Sequence, residues 1–149
     1  MRRFITKSTG LLVIAVLFVS QTFSFSRVDD QKDLSTLADG FALAMSKKDK
    51  VWMDANLTNE CMTYMPTGES INKQTTIQAF TGAIYNIKKS STANKSFVVS
   101  EKDAGGSADF TVEGSGSNGG EISGTYKLSF KFKNTETGWK ISEILINGQ

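Results

Sequence analysis

The stretch Ile122-Ser-Gly-Thr-Tyr-Lys-Leu-Ser-Phe-Lys-Phe-Lys133 alternates apolar or small residues with polar ones at every second position. Because successive side chains of a β-strand point to opposite faces, this period of two predicts a strand with one buried and one solvated face. Residues 108–113 alternate in the same way, residues 96–102 do so less regularly, and residues 139–146 form a last strand-like segment. We therefore expect four antiparallel strands in the C-terminal half of the chain.

Three segments of turn-forming residues separate these predicted strands, at residues 103–107, 114–120 and 134–138. Their composition favours tight turns, so consecutive strands should pair as hairpins. A glycine loop that binds phosphate must open a helix, whereas residues 114–120 lead into a strand. We interpret that segment as a connecting loop.

The residues before the strands follow a helical period instead. A first helix is predicted after Asp29 and Asp30, because apolar side chains recur three and four positions apart along one face. Residues 46–49 close this helix. Its apolar face consists of Leu34, Leu37, Ala38, Phe41, Ala42 and Met45.

Two further helices and a short strand are predicted between this helix and the C-terminal strands. Asp49 and Asn72 are residue types that cap helix N-termini, so each should begin a helix. Residues 60–65 form the short strand, which a turn at Pro66-Thr-Gly68 ends. The second helix carries Val51, Trp52, Ala55 and Leu57, and the third carries Ile77, Phe80, Ala83, Ile84 and Ile87 and ends near Lys89.

The first 26 residues have the order of an export signal. Three basic residues precede an apolar run at residues 11–19, and the more polar residues 20–26 follow. A membrane-spanning helix needs about 20 apolar residues, so a cleaved signal peptide with Ser24 or Ser26 at its edge is favoured over an uncleaved anchor. We expect residues 27–149 to be one domain in the periplasm or outside the cell, without stable membrane association.

The charge of that domain argues against nucleic-acid binding. The first 26 residues hold three basic residues and no acidic one, so the remaining chain has 14 basic and 15 acidic residues and a net charge of about −1. A near-neutral domain lacks the positive field that attracts nucleic acid. The chain also contains no histidine, the commonest general base and metal ligand, and we expect neither a metal nor a cofactor.

Cys61 is the only cysteine. A single cysteine cannot form a disulfide within the chain, so packing alone must stabilise the domain. We interpret Cys61 as a small buried apolar side chain, and a reactive thiol is the alternative.

The order helix, helix, short strand, helix and four long strands resembles the NTF2-like superfamily, and within it the SnoaL-like and DUF4440-like branches. The resemblance implies an α+β cone in which three N-terminal helices pack on a curved antiparallel sheet and enclose a pocket. It covers residues 33–147, but the superfamily includes isomerases, dehydratases and binding domains, so it implies no single activity. The motifs that carry it are Phe41-Ala-Leu-Ala-Met-Ser-Lys-Lys-Asp49, Met65-Pro-Thr-Gly68, Ile77-Gln-Ala-Phe80 and Gly138-Trp-Lys-Ile141.

The resemblance also implies two positions at which isomerases of this superfamily keep catalytic groups. An aspartate before the proline of the first turn takes a proton, and a tyrosine in the first helix stabilises the developing oxyanion. The matching positions here are Met65 and Phe41, and neither side chain can perform that chemistry.

Glu143 is the remaining candidate for a general base. Strand parity places it on one face with Trp139 and Ile141, where burial would raise the pKa of its carboxyl group. If a bulge instead turns Ile144 and Ile146 inward, Glu143 lies in solvent. We favour the second arrangement.

These considerations support a non-catalytic exported domain that binds a small apolar ligand or pairs with a second copy through its sheet. The alternative is a ketosteroid-isomerase-like isomerase or lyase using Glu143 with Tyr64 or Tyr126, and an accessory subunit of an envelope complex is a third hypothesis. For Tyr64 and Tyr126 a core position with a bonded hydroxyl is the favoured interpretation, and for Trp52 a packing role between helices. The predicted pocket residues are Phe41, Trp52, Tyr64, Met65, Tyr126 and Glu143.

Overall fold

The computed structural model describes the backbone of residues 23–148 and the side chains from Val28 onward. The predicted signal segment lies outside the described residues except for its last four, which belong to the first helix. The helices are α1 (Phe23–Lys47), α2 (Lys50–Asn56) and α3 (Lys73–Thr81). The strands are β1 (Leu57–Tyr64), β2 (Ser70–Asn72), β3 (Tyr85–Val99), β4 (Asp103–Gly116), β5 (Gly124–Thr135) and β6 (Gly138–Asn147).

Helices α2 and α3 begin where the sequence predicts them, whereas α1 begins at Phe23, before the predicted start after Asp30. Asp49 accepts a hydrogen bond from the Trp52 backbone N–H at 2.9 Å, and Asn72 accepts one from that of Thr75 at 3.0 Å, so both predicted caps are confirmed. All six residues of the predicted α1 face are buried. In α2 the buried residue is Met53, whereas Val51 and Ala55, which were expected on the apolar face, are exposed. Among residues 23–148, no helix has the length and hydropathy needed to cross a bilayer.

The six strands form one sheet in the order β2-β1-β6-β5-β4-β3. The four C-terminal strands are antiparallel, as predicted. The expectation of a wholly antiparallel sheet is wrong at β1, which pairs with β6 in parallel. Parallel neighbours require a long crossover, and here α3 and four strands lie between the two in the chain. The curved, open, mixed sheet with three helices confirms the α+β cone architecture.

The boundary between α3 and β3 differs from the prediction. The helix ends at Thr81 rather than near Lys89, and the Gly82 N–H donates to the Gln78 carbonyl at 2.9 Å to close it. A β-carbon on Gly82 would lie 2.4 Å from that carbonyl oxygen, so glycine suits this cap. Ile87, expected on the helix, is a buried residue of β3.

Residues 103–107 belong to β4, so the predicted turn there is wrong. The turn lies just before, where the Ser100 N–H donates to the Asp103 carbonyl at 2.8 Å. Gly106 of this segment allows close packing between strands, since a β-carbon there would lie 2.1 Å from the Ser96 carbonyl oxygen. The other two predicted turns are present but shorter than expected, because β4 continues to Gly116 and β5 to Thr135.

Strand β3 is an edge strand of 15 residues. Its pairing with β4 shifts register between Ile87 and Lys89 and again between Ala93 and Ser96. At the second shift Asn94 has a positive φ of 47°. Helix α1 covers one face of this strand, and no other strand within residues 23–148 pairs with its outer edge.

The core is centred on Phe41, whose side chain is fully buried. Its ring meets Phe80 of α3 edge-on at a centroid distance of 6.0 Å and Phe130 of β5 at 6.1 Å. Aromatic pairs favour this edge-to-face arrangement, so one side chain joins α1, α3 and the sheet.

Replacing Gly40 with alanine should destabilise the protein, although alanine is the better helix former. The new β-carbon would lie 2.2 Å from Trp52 Cζ2, and such overpacking costs about 1–3 kcal/mol. In a Trp52→Ala background the same change should instead stabilise by up to about 1 kcal/mol. Urea unfolding of the wild type, Gly40→Ala, Trp52→Ala and the double variant measures the effect of the alanine on the free energy of unfolding in each background. A destabilisation of equal size in both backgrounds would show that Trp52 is not the cause.

Cys61 should resist modification while the protein is folded. Its side chain is buried, and burial raises the pKa of the thiol to about 12. Between pH 9.0 and about 12 the unfolded thiol ionises and the folded thiol does not, so this group favours unfolding as the pH rises through that range. A disulfide reagent at about pH 8 should label Cys61 only after guanidinium unfolding. A Val51→Cys variant, exposed on α2, should be labelled at once in its native state, and equally fast labelling of native Cys61 would contradict the burial.

Candidate functional site

A cavity of about 190 Å³ lies between the β1–β2 turn, α3 and the inner face of the sheet. Among the described side chains, none that lines it is charged, and the hydroxyls that line it belong to Thr67, Tyr85 and Tyr126. The volume is close to that of an apolar cavity of about 150 Å³ that accepts benzene, and below the roughly 300–1,000 Å³ typical of drug-sized ligands. The lining consists of Met65, Pro66, Thr67, Phe80, Tyr85, Ile87, Phe110, Val112, Ile122, Tyr126 and Ile146.

The cavity has a buried floor and a partly exposed rim. The floor consists of the buried residues Phe80, Ile87, Phe110, Val112 and Ile146. The rim contains the half-buried residues Met65, Tyr85, Ile122 and Tyr126, with the exposed turn residues Pro66 and Thr67 beside them. A small molecule could therefore enter at the turn and contact apolar groups below it.

The two tyrosines of the rim use their hydroxyl groups differently. The Tyr126 hydroxyl donates to the Ile122 carbonyl at 3.0 Å. The Tyr85 ring stacks on Phe80 at 5.5 Å, and no residue within 23–148 forms a hydrogen bond with its hydroxyl. Burial raises the pKa of Tyr85, and the negative charge of Glu69 raises it further. Tyr85 therefore stays a neutral phenol that can donate a hydrogen bond.

Two of the six predicted pocket residues, Met65 and Tyr126, line this cavity. Phe41 lies beneath it and supports Phe80, one of the floor residues. Trp52 packs against Gly40 on α1, which matches its interpretation as a packing residue between helices. Phe41 is therefore a core residue and Trp52 a partly buried residue packed against the core, and neither lines the cavity wall.

Glu143 lies away from the cavity because β6 contains a bulge. Lys131 pairs with Glu143 while Phe132 pairs with Ile141, so Ser142 is an extra residue in β6. After the bulge Ile144 points into the core and Glu143 points to the opposite face. The extra residue changes the alternation of side chains along β6, so Glu143 does not lie on the inner face.

Glu143 forms an ion pair on that outer face. Its Oε1 lies 2.9 Å from Lys131 Nζ, and the pair raises the pKa of Lys131. Proton transfer to a substrate in the cavity requires a base within hydrogen-bond reach, and the sheet separates this carboxylate from the cavity. The geometry gives the isomerase hypothesis no base at this position.

Tyr64 also lies on the outer face of the sheet. Its neighbour Thr63 is fully buried and accepts a hydrogen bond from the Thr76 hydroxyl at 2.9 Å, so the alternation of β1 turns Tyr64 outward. Tyr64 pairs with Leu145 of β6, and both side chains are more than one third exposed. The Tyr64 hydroxyl therefore cannot donate a hydrogen bond to a ligand in the cavity.

The sequence reasoning missed Tyr85. The predicted third helix ran to about Lys89 and so included Tyr85, which was assigned no role, whereas the helix ends at Thr81. Gly82 was the available signal, because glycine commonly ends helices and the next residues are rich in strand formers.

Two larger depressions on the described surface are polar. One contains Lys88, Lys89 and Glu113, and the other contains Glu60 and Lys73 among further charged residues. Within residues 23–148, no three acidic or cysteine side chains come together as they would around a metal ion. The apolar cavity is the better candidate site, because ligand pockets are mostly apolar and concave.

No protein-family model matches the sequence, and no curated protein is significantly similar to it. Solved structures are similar in fold. An NTF2-like protein from Cytophaga hutchinsonii matches with a TM-score of 0.68 and 16% identity, over 87% of this chain and 100% of its own. An NTF2-like protein of unknown function in nutrient uptake from Rhodospirillum rubrum matches with a TM-score of 0.71 and 15% identity, over 78% of this chain and 98% of its own.

An NTF2-like superfamily protein from Salmonella enterica serovar Typhimurium gives a TM-score of 0.70 and 16% identity, over 82% of this chain and 92% of its own. The SnoaL-like and DUF4440-like branches remain predictions from the sequence motifs. Identities this low establish architecture and not activity. The helix order, the six-stranded mixed sheet and these structural matches show that the chain has the NTF2-like fold.

Proposed function

We propose that the chain is a non-catalytic binding domain whose cavity takes one small, neutral, apolar molecule. The supporting observation is an uncharged cavity of about 190 Å³ with a buried aromatic and aliphatic floor. Met65 occupies the rim at the position where the isomerases of this superfamily have their base, and a thioether accepts no proton. The N-terminal sequence predicts that the domain works in the periplasm or outside the cell.

The volume sets the size of the ligand. A cavity only slightly larger than one that holds benzene fits a single six-membered ring with one small substituent. A molecule of about seven non-hydrogen atoms has little surface to bury, so we expect dissociation constants of about 0.1–1 mM, or roughly −4 to −5.5 kcal/mol.

A second candidate function is self-association through the outer face of the sheet. Tyr64 and Leu145 form an exposed apolar pair at its centre, and the Lys131–Glu143 and Lys127–Asp109 ion pairs neutralise charge around it. A two-fold axis through such a patch would place the same residues of two copies against each other. Because the surrounding face is polar, the dimer should be of moderate strength.

Replacing Ile122 with tryptophan should block ligand binding. Ile122 is half-buried at the rim, so the larger ring can enter the cavity without displacing the core. We expect the affinity for toluene, measured by NMR titration, to fall at least about tenfold, since even one misplaced methylene group in a pocket costs 1–3 kcal/mol. Val51→Trp, on the exposed surface of α2, is the matched control and should bind as the wild type does. Equal affinity in Ile122→Trp would show that toluene binds elsewhere.

Replacing Leu145 with lysine should abolish the proposed dimer. The substitution places a charge at the centre of the face, opposite Ser129, and the like charges of two copies repel across a two-fold axis. Sedimentation equilibrium should show a dimer for the wild type and for the Val51→Lys control, and a monomer for Leu145→Lys. A wild-type protein that stays monomeric at high concentration would remove this second function and leave the first intact.

A further inference from the structure

We infer that the Tyr85 hydroxyl donates a hydrogen bond to the bound molecule, so that the cavity selects a neutral ring carrying a hydrogen-bond acceptor, such as a cyclic ketone or ether, over a hydrocarbon of the same size. This inference rests on the proposed function and specifies the ligand class of the same cavity.

The three hydroxyl groups of the cavity differ in whether their protons already have a hydrogen-bond acceptor. Tyr126 already donates to the Ile122 carbonyl at 3.0 Å, and Thr67 lies on the exposed turn, where solvent reaches it. Tyr85 is half-buried, and no residue of the described chain accepts its proton. The hydroxyl is not fully buried, so solvent can reach it in the free protein. When a ligand displaces that solvent, an acceptor on the ligand replaces the lost hydrogen bond, whereas a hydrocarbon leaves the donor unpaired at a desolvation cost.

The position of the Tyr85 ring is fixed before a ligand arrives. It stacks on Phe80 with an interplanar angle of 24°, and Phe80 is in turn held edge-on by the buried Phe41. A donor on a ring that packing already orients loses little conformational freedom when it binds. The oriented hydroxyl should therefore favour ligands that carry an acceptor over ligands that lack one.

The charges near the cavity favour a neutral acceptor over an anion. Glu69 is close enough to Tyr85 to raise the pKa of the phenol, together with the larger effect of burial. The same carboxylate would repel a carboxylate or phenolate ligand, and no lysine or arginine among residues 28–148 lines the cavity to offset it. A ketone or ether accepts a hydrogen bond without carrying charge, so Glu69 does not repel it and it needs no basic residue in the cavity.

The test compares two rings of equal size, cyclohexanone and methylenecyclohexane, in NMR titrations of the full domain. Tyr85→Phe keeps the stacked ring and removes the hydroxyl, so it should weaken cyclohexanone binding about three- to tenfold and leave methylenecyclohexane within twofold. Tyr126→Phe is the matched control in the same cavity, and the ratio of its two affinities should equal that of the wild type. Thermal unfolding confirms that both variants are folded.

A spectroscopic measurement tests the hydrogen bond itself. The carbonyl stretch of bound cyclohexanone should lie at lower frequency in the wild type than in Tyr85→Phe, because donation to the oxygen weakens the C=O bond. If both rings bind the wild type but Tyr85→Phe changes neither the affinity ratio nor the band, the inference is wrong and the proposed function stands. If neither ring binds the wild type, the proposed function fails and the inference fails with it.

Discussion

The contact of Phe41 with Phe80 and Phe130 holds the three layers of this structure together. One fully buried ring on α1 meets α3 and β5 edge-on, at 6.0 and 6.1 Å. Phe80 extends the cluster to Tyr85 at the cavity rim. The aromatic cluster that stabilises the core therefore also shapes the candidate site, and a change at Phe41 would reach the cavity through Phe80.

The two faces of the sheet have separate chemistry. The inner face is apolar and encloses the cavity, whereas the outer face carries cross-strand ion pairs such as Lys131–Glu143. The single extra residue Ser142 maintains this separation through β6, because it turns Ile144 inward and Glu143 outward. Without it the last strand would place a carboxylate under the helices, where its desolvation would be costly.

Local patterns predicted the parts of the fold that depend on local physics. The alternation of β5, the apolar face of α1 and the caps at Asp49 and Asn72 were all correct, since each depends on neighbouring residues. The parallel pairing of β1 with β6 was not predictable in this way, because strand partners are chosen by contacts far apart in sequence. The turn predicted at residues 103–107 was wrong for a related reason. Gly106 is required by its close contact with β3, and that contact cannot be inferred from the sequence of the segment alone.

The candidate site was predicted less completely than the fold. Met65 and Tyr126 were recognised because one adjoins the only proline and the other lies on a clear strand face. Tyr85 was missed because apolar positions after Gly82 fit a helix as well as a strand, and only tertiary packing decides between them. The outward position of Glu143 depends on a bulge, which the sequence analysis favoured because it turns Ile144 and Ile146 inward.

The register shifts of β3 affect how this domain behaves among other copies of itself. An open sheet ends in a row of unpaired backbone groups, which can template aggregation when the edge is long and regular. The shifts near Lys88 and Asn94 divide the regular pairing of this strand into three short segments, residues 85–87, 89–93 and 96–99. Such short segments, flanked by lysines, give an incoming strand few consecutive hydrogen bonds. The irregularities of β3 should therefore help to keep the domain soluble at concentrations where a straight edge would promote fibril growth.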